Sequence, residues 1–274
     1  PFFAIWTILT IVGWSWLGKK MRTLSTEIDE RPLDVEEGKR YIWKNTVWAA
    51  LYAVLFALTV LSSIPWFWLM SIDAHWYSTM YSWYTFASTW VSGLALITVF
   101  VVYLKNNNYL ELTTKEHLHD LGKFIFAFSI FWTYLWFSQF MLIWYANIPE
   151  ETVYFKPRVQ GPYRTIFFLN LIINFLAPLL LLMKRASKRN YGTITMMAVL
   201  VIFGHWLDFY QMVMPTAVMD TQSGETYVPN MLPDLGIGLG FIGLIMFVTA
   251  RALSKHSLLA KNHPFLKESI IHHT

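Results

Sequence analysis

Apolar residues in this chain come in seven long runs separated by short polar segments. The runs cover about 1–18, 46–70, 83–104, 124–145, 165–183, 193–213 and 234–250. A helix of about 20 apolar residues crosses the hydrocarbon core of a bilayer, so each run predicts a membrane-spanning helix. The seventh is the shortest, lying between Asp234 and Arg251, whose charges must reach the interfaces. Pro233, just before it, suits a helix start. The predicted fold class is all-α, a polytopic transmembrane helix bundle forming a single integral membrane domain over 1–274. The chain opens on Pro1, Phe2 and Phe3 with no basic flank, so the expectation is that earlier helices precede it.

Loop charge predicts orientation. Segments 19–45, 105–123, 184–192 and 251–274 hold 18 of the 21 Lys and Arg residues. The alternate segments 71–82, 146–164 and 214–233 hold the other 3. The basic side is expected in the cytoplasm, together with the C-terminus. Lys184, Arg185, Lys188 and Arg189 then read as a topology anchor, and the net charge of +4 reflects this bias, not nucleic-acid binding. The 19–45 loop is mixed in sign and expected to be solvated and partly helical. Segments 146–164 and 214–233 carry prolines and the aromatics Tyr154, Phe155, Tyr163 and Tyr227, which suits a surface met by a partner.

Composition agrees: 55% of residues are hydrophobic, 18% aromatic and only 14% charged. That profile excludes an ordinary soluble domain, a disordered chain and a collagen-like fibre. Many of the 14 tryptophans lie near span ends, as interfacial anchors do. The chain has no cysteine, which removes disulfides, thiolate metal sites and Cys-linked haem or iron–sulfur clusters from its own chemistry.

Polar residues inside the runs are the candidate chemistry. Thr85, Ser88, Thr89 and Ser92 share one helix face, and Gly236, Gly240 and Gly243 share another; both patterns predict close helix–helix packing. Asn170, Asn174 and Pro178 share a face that must point into the bundle, since an unpaired amide in lipid is costly. The sixth run carries the sharpest signal, Gly204-His205-Trp206-Leu207-Asp208-Phe209-Tyr210. His205 and Asp208 are three apart, share a face, and lie roughly 12 and 8 Å below the end of that run at about 1.5 Å per residue. An imidazole and a carboxyl at such depth mark a proton or ion path by default, and histidine titrates near neutral pH. Ser129, Thr133, Tyr134, Ser138 and Gln139 add hydroxyls and an amide on the fourth run, although they do not form one stripe. Glu150 and Glu151 are candidates for a proton exit beyond it. The candidate proton pathway is therefore His205, Asp208, Ser138, Gln139, Tyr134, Thr133, Asn170, Asn174, Glu150 and Glu151. No catalytic constellation and no metal site of this chain's own is expected. His205 is the only histidine deep in a run, so the paired axial ligands of a transmembrane haem are lacking, and no deep lysine offers a Schiff base.

Two stretches resemble a known family. The segment from Phe137 through Trp144-Tyr145-Ala146-Asn147-Ile148-Pro149-Glu150-Glu151 to Thr152 looks like a signature of the second large membrane subunit of bacterial alternative complex III, the ActF family. The segment Gly204-His205-Trp206-Leu207-Asp208 through Met214-Pro215 looks like another, and 83–105 is similar as well. The resemblance covers roughly 41–251. It implies an NrfD/PsrC-like helical subunit of a quinol:cytochrome c oxidoreductase in the bacterial inner membrane. It also implies a homologous NrfD-like subunit beside it, periplasmic iron–sulfur and cytochrome c subunits above, and a terminal oxidase as a further partner. Haem c and iron–sulfur clusters would sit on those partners. Quinone, expected as menaquinone, would bind in the complex, with the homologous subunit the better candidate for its site. Proton-path roles would fall to His205, Asp208, Ser138 and Gln139. Three functions follow as expectations: a proton half-channel and docking subunit of that complex, a structural scaffold, or an independent secondary transporter.

Overall fold

The computed structural model describes residues 2–29, 32–73, 75–220, 223, 225–255 and 257–273. Pro1, on which the first apolar run opens, lies outside them. All regular structure among these residues is helical. Seven helical stretches are long and apolar enough to cross a membrane: Phe2–Glu27, Val35–Ile72, Thr79–Asn106, Lys115–Ala146, Arg164–Leu182, Tyr191–Ala217 and Leu232–Leu253. The chain is a multi-pass helical membrane protein. Most of these helices run past the apolar stretches that announced them, because a helix continues into polar residues until something caps it.

The caps are legible. Helix α4, Lys115–Ala146, starts at Thr114, whose hydroxyl accepts the Glu116 N–H while His117 Nδ1 accepts the Thr114 N–H at 3.1 Å. It stops at Asn147, which takes a left-handed conformation (φ 50°) two residues before Pro149. Helix α10, Tyr191–Ala217, starts at Asn190, whose side chain accepts from Thr193 N at 3.0 Å.

The chain divides into two compact units. The first joins residues up to Thr59 with Asn230–His272. It holds helix α1 (Phe2–Glu27), most of α2 (Val35–Val60), α11 (Leu232–Leu253) and α12 (Leu266–Ile270). Gly13 lets Leu55 come close; a Cβ there would stand 3.1 Å from its methyl. Trp14 Nε1 donates to Thr59 Oγ1 at 2.8 Å. The tail folds back: Lys261 N and Asn262 Nδ2 donate to Asp29 Oδ1 and Ile28 O, at 3.0 and 2.8 Å. Helix α11 buries no residue, and Gly236, Gly240 and Gly243 have no neighbour within 4 Å of where a Cβ would stand. The packing expected from those glycines is not made among the described residues of this unit. Its apolar side chains are a surface for lipid or another helix.

The second unit, Val60–Pro229 with the last two residues, carries the dense packing. It begins with a π-helical turn, Ser63–Leu69. Helix α3 (Thr79–Asn106), α4 and α10 pack on one another, and a fourth, broken span closes the bundle. That span consists of α7 (Arg164–Leu171), a π-helical turn (Ile172–Leu176) and α8 (Ala177–Leu182). Short helices α5 (Pro149–Thr152) and α6 (Lys156–Val159) lie between α4 and α7, and α9 (Arg185–Lys188) between α8 and α10. One end of this bundle, here the basic end, carries 107–114 and 183–190, where Arg185 reaches Glu116 at 3.7 Å and Arg189 pairs with it too. The opposite end carries 75–78, 147–163, 218–220 and 225–229. There Trp76 Nε1 donates to Glu151 O at 3.2 Å, and Tyr163 OH to Tyr227 O at 3.0 Å.

Along the axis the core is layered, and each long helix passes the layers in the same order. An aromatic layer lies towards the opposite end: Tyr81 and Tyr84 on α3, Trp132 and Trp136 on α4, and Met212 on α10. An aliphatic layer follows, with Val91 and Ala95, Ile125, Leu182, and Met197, Ala198 and Val201. A smaller cluster of Val102, Leu118 and Ile194 finishes at the basic end. Ser88, Ser129, Asn170, Asn174, His205 and Asp208, all buried, fall between the first two layers in sequence on their helices.

Candidate functional site

Asp208 is fully buried, with 0% of its surface exposed, and its two oxygens receive four donors from three other spans. Tyr84 OH and Asn170 Nδ2 donate to Oδ1, the latter at 2.7 Å. Ser88 Oγ and Trp132 Nε1 donate to Oδ2, each at 2.9 Å. An ionised carboxylate has about four lone-pair positions, and here each has a hydrogen. Charge-assisted bonds of this kind are the strong ones, and enclosure in a low dielectric strengthens them further. The acid thereby fastens α3, α4, α7 and α10 at one point.

His205 lies one turn back along α10, towards the basic end, with 1% of its surface exposed. Its Nδ1 is 3.9 Å from Asp208 Oδ2, beyond a direct hydrogen bond, but 2.9 Å from Ser88 Oγ. Ser88 therefore bridges the imidazole and the carboxylate. A hydroxyl has one hydrogen. Since Ser88 gives it to Asp208, its oxygen accepts from His205, which puts a proton on Nδ1. The ring stands edge-on to Trp132, centroids 5.5 Å apart.

A second arm leaves the other oxygen. Asn170 donates to Asp208 and accepts, through Oδ1, from Asn174 Nδ2. Asn174 sits in the π-helical turn, and its Oδ1 lies against the backbone of Gly204. A Cβ at Gly204 would come within 2.1 Å of that oxygen and 2.5 Å of Ile173 Cγ2, so only glycine lets α10 seat here. π turns are rare and gather at functional sites.

Sequence reasoning missed one buried cation. Arg158, on α6, has 1% of its surface exposed. Its Nε donates to Gln211 O at 2.9 Å, its Nη2 to Met212 O at 3.0 Å, and its Nη1 to Tyr154 O. The reason lies in Pro215, inside α10. A proline has no N–H, so the carbonyl four residues back, Gln211, loses its helical donor. Arg158 supplies the replacement. The guanidinium also lies 3.5 Å from the Tyr154 ring centroid, and Tyr154 stacks on Trp76 at 4.1 Å. Burial pushes the Tyr154 phenol above its ordinary pKa, which the Arg158 charge offsets in part. One sequence signal pointed here, a basic residue on the side poor in them; Pro215 lies just past the sixth apolar run and read as a loop proline, whereas the helix continues through it to Ala217.

The other predicted residues divide. Asn170, Asn174, His205 and Asp208 come together. Gln139 is buried on the same face of α4 as Trp132, two turns away, and its Nε2 has no partner among the described residues; Gln211 Oε1 is in the same condition. Thr133 is half-buried and donates to the Ser129 carbonyl at 2.8 Å. Ser138 is half-buried and lies six residues from Trp132 on α4, outside the buried stripe of that helix. Tyr134 is 63% exposed, two residues from Trp132 and so on the far side of α4, away from the carboxylate. Glu150 is exposed and Glu151 half-buried, both on α5. Tyr84, Trp132 and Ser88 complete the site; only Ser88 stood out in the sequence, and then as a packing residue. At the basic end Lys188 donates to Leu182 O at 2.6 Å and Met183 O at 3.2 Å, capping α8. Burial, and then Lys123, lower its pKa.

The donor set suits no metal: cysteine is absent, and no three His, Asp or Glu side chains converge among the described residues. It does not suit a quinol headgroup either, because protein donors already occupy the lone pairs of Asp208. What the arrangement can do is hold a proton, or move one between an imidazole and a carboxylate through a single hydroxyl. No known protein-family profile matches the chain, and no curated protein matches it.

Proposed function

We propose that the chain is a metal-free membrane subunit of a bacterial quinol-oxidising complex of the alternative complex III type. In this reading its basic end and C-terminus face the cytoplasm, and His205, Ser88 and Asp208 form its proton-exchange element. The observation that carries the reading is the hydroxyl of Ser88, 2.9 Å from both His205 Nδ1 and Asp208 Oδ2. In the exchange, the neutral imidazole first takes up a proton on Nε2, and the imidazolium then passes its Nδ1 proton to Ser88 Oγ while the Ser88 hydroxyl proton passes to Oδ2. A neutral imidazole protonated on Nε2 and a neutral carboxyl remain, and the reverse step restores the ion pair. Both states are neutral overall, which is what a low dielectric favours. Gln139 and Gln211 extend the polar line towards the periplasmic end, and Arg158 sets a fixed positive charge beside it. Quinone and the haem c and iron–sulfur centres belong to partner subunits, which this subunit seats.

A structural reading has its own observation. Four donors on one carboxylate tie four helices, and a tie needs no proton traffic. Asp208→Asn separates the two. The purified complex carrying it, reconstituted in vesicles, loses proton release coupled to quinol oxidation if the exchange element operates. Full assembly with unchanged proton release leaves the tie alone standing.

A further inference from the structure

The carboxylate imposes a direction on both arms of hydrogen bonds that leave it. Along one, Ser88 donates to Asp208 and His205 Nδ1–H donates to Ser88, so Nε2 of the neutral imidazole is left with a bare lone pair. Along the other, Asn170 donates to Asp208 and Asn174 donates to Asn170, so Asn174 Oδ1 is left as an acceptor. Neither terminal atom has a partner among the described residues, nor has Ser129 Oγ, and each side chain is at least 99% buried. Polar atoms buried with nothing to meet them are costly, so three of them in one core call for a shared partner.

They also lie at one level. Asn174 touches Gly204, the neighbour of His205. Ser129 precedes Trp132 by one turn, and the Trp132 ring meets the edge of His205. All three atoms are therefore displaced from Asp208 towards the basic end by about one turn, roughly 5 Å. Below them the aliphatic layer of Val91, Ile125 and Val201 begins.

We infer that His205 Nε2, Asn174 Oδ1 and Ser129 Oγ together form a binding site for one internal water molecule. The complementarity is chemical. Two of the atoms can only accept, and a water has two hydrogens for them. The third is a hydroxyl with a hydrogen to give, and the water has a lone pair to receive it. Three bonds is the usual complement of a buried water. The water site itself does not depend on the proton-exchange reading. Its use does: in that reading the water is the station from which Nε2 gains or loses a proton, set against an apolar floor that stops further passage.

The test uses the full chain in its native complex. A density map fine enough to resolve water should show a peak within about 2.6–3.2 Å of all three atoms. Apolar atoms packed against Nε2 and Oδ1, or the three atoms bonded to one another, would overturn the site. Infrared spectra of the complex in H2O and in H2-18-O give a second reading. Ser129→Ala should shift or abolish one isotope-sensitive O–H band, and a band set identical to that of the unaltered protein would count against the site. A water present in a complex whose proton release ignores Asp208→Asn would confirm the site and sink the exchange role.

Discussion

Arg158 and Pro215 offer a sharp test of the packing argument. Arg158→Met keeps an apolar stem of similar length and removes every donor. Three carbonyls lose a charged partner: Tyr154, Gln211 and Met212. A hydrogen bond from a charged donor contributes about 1.5–3 kcal/mol, and a buried carbonyl left without one costs about 1–3 kcal/mol. These are not additive, and one residue makes all three, so a loss of about 3–5 kcal/mol is expected. The diagnostic measurement is the cycle with Pro215→Ala. Alanine restores an N–H four residues after Gln211, which matters little while Arg158 serves that carbonyl. In the Arg158→Met background it should recover about 1 kcal/mol or more. Equilibrium unfolding in mixed micelles of mild and denaturing detergent reads all four proteins. Additivity to within about 0.5 kcal/mol would show that the proline does not free the carbonyl that Arg158 holds.

Other outcomes follow from single contacts. Gly204→Ala should destabilise by about 1–3 kcal/mol in the same assay, because its methyl meets Asn174 and Ile173. Gly122→Ala should likewise destabilise by about 1–3 kcal/mol, since its methyl would meet Cγ and Cβ of Lys188 at 2.8 and 3.0 Å, the near end of a side chain whose ammonium is held by Leu182 and Met183. Asp208→Asn should also lower stability by about 2–4 kcal/mol, as an amide NH2 faces donors where an oxygen stood; an unchanged unfolding midpoint would deny the four-donor arrangement. Thr114→Ala should cost about 1 kcal/mol through the lost cap of α4, visible as faster hydrogen exchange in the 115–118 amides.

The spans were legible because a bilayer demands long apolar runs, and nothing else in a sequence looks like them. Their ends were not. Helix α4 begins at Lys115, nine residues before its apolar run, because Thr114 and His117 supply a cap that hydropathy does not register. The His205 and Asp208 pair was legible from depth and spacing, and Asn170 and Asn174 from their shared face. Their partners were not, since Tyr84 and Trp132 are ordinary aromatics until another helix brings a carboxylate to them. On α4 the buried stripe of Trp132, Leu135, Trp136, Gln139 and Ile143 decides which polar residues turn inward, and Tyr134 falls outside it. Hydroxyl content alone could not make that choice.

The wide turn at Ile172–Leu176 amounts to one extra residue wound into the span. A π turn takes up one residue more than an α turn for nearly the same rotation, so deleting one of those five would close the segment into plain α-helix and leave Leu182 facing the aliphatic floor. What would change is the turn itself, where Asn174 sits. The extra residue thus sets the direction of the second amide without altering the phase between the two halves of the span. A single-residue gap at this place in a related chain would therefore mark a protein that keeps the packing of this span and loses its amide arm.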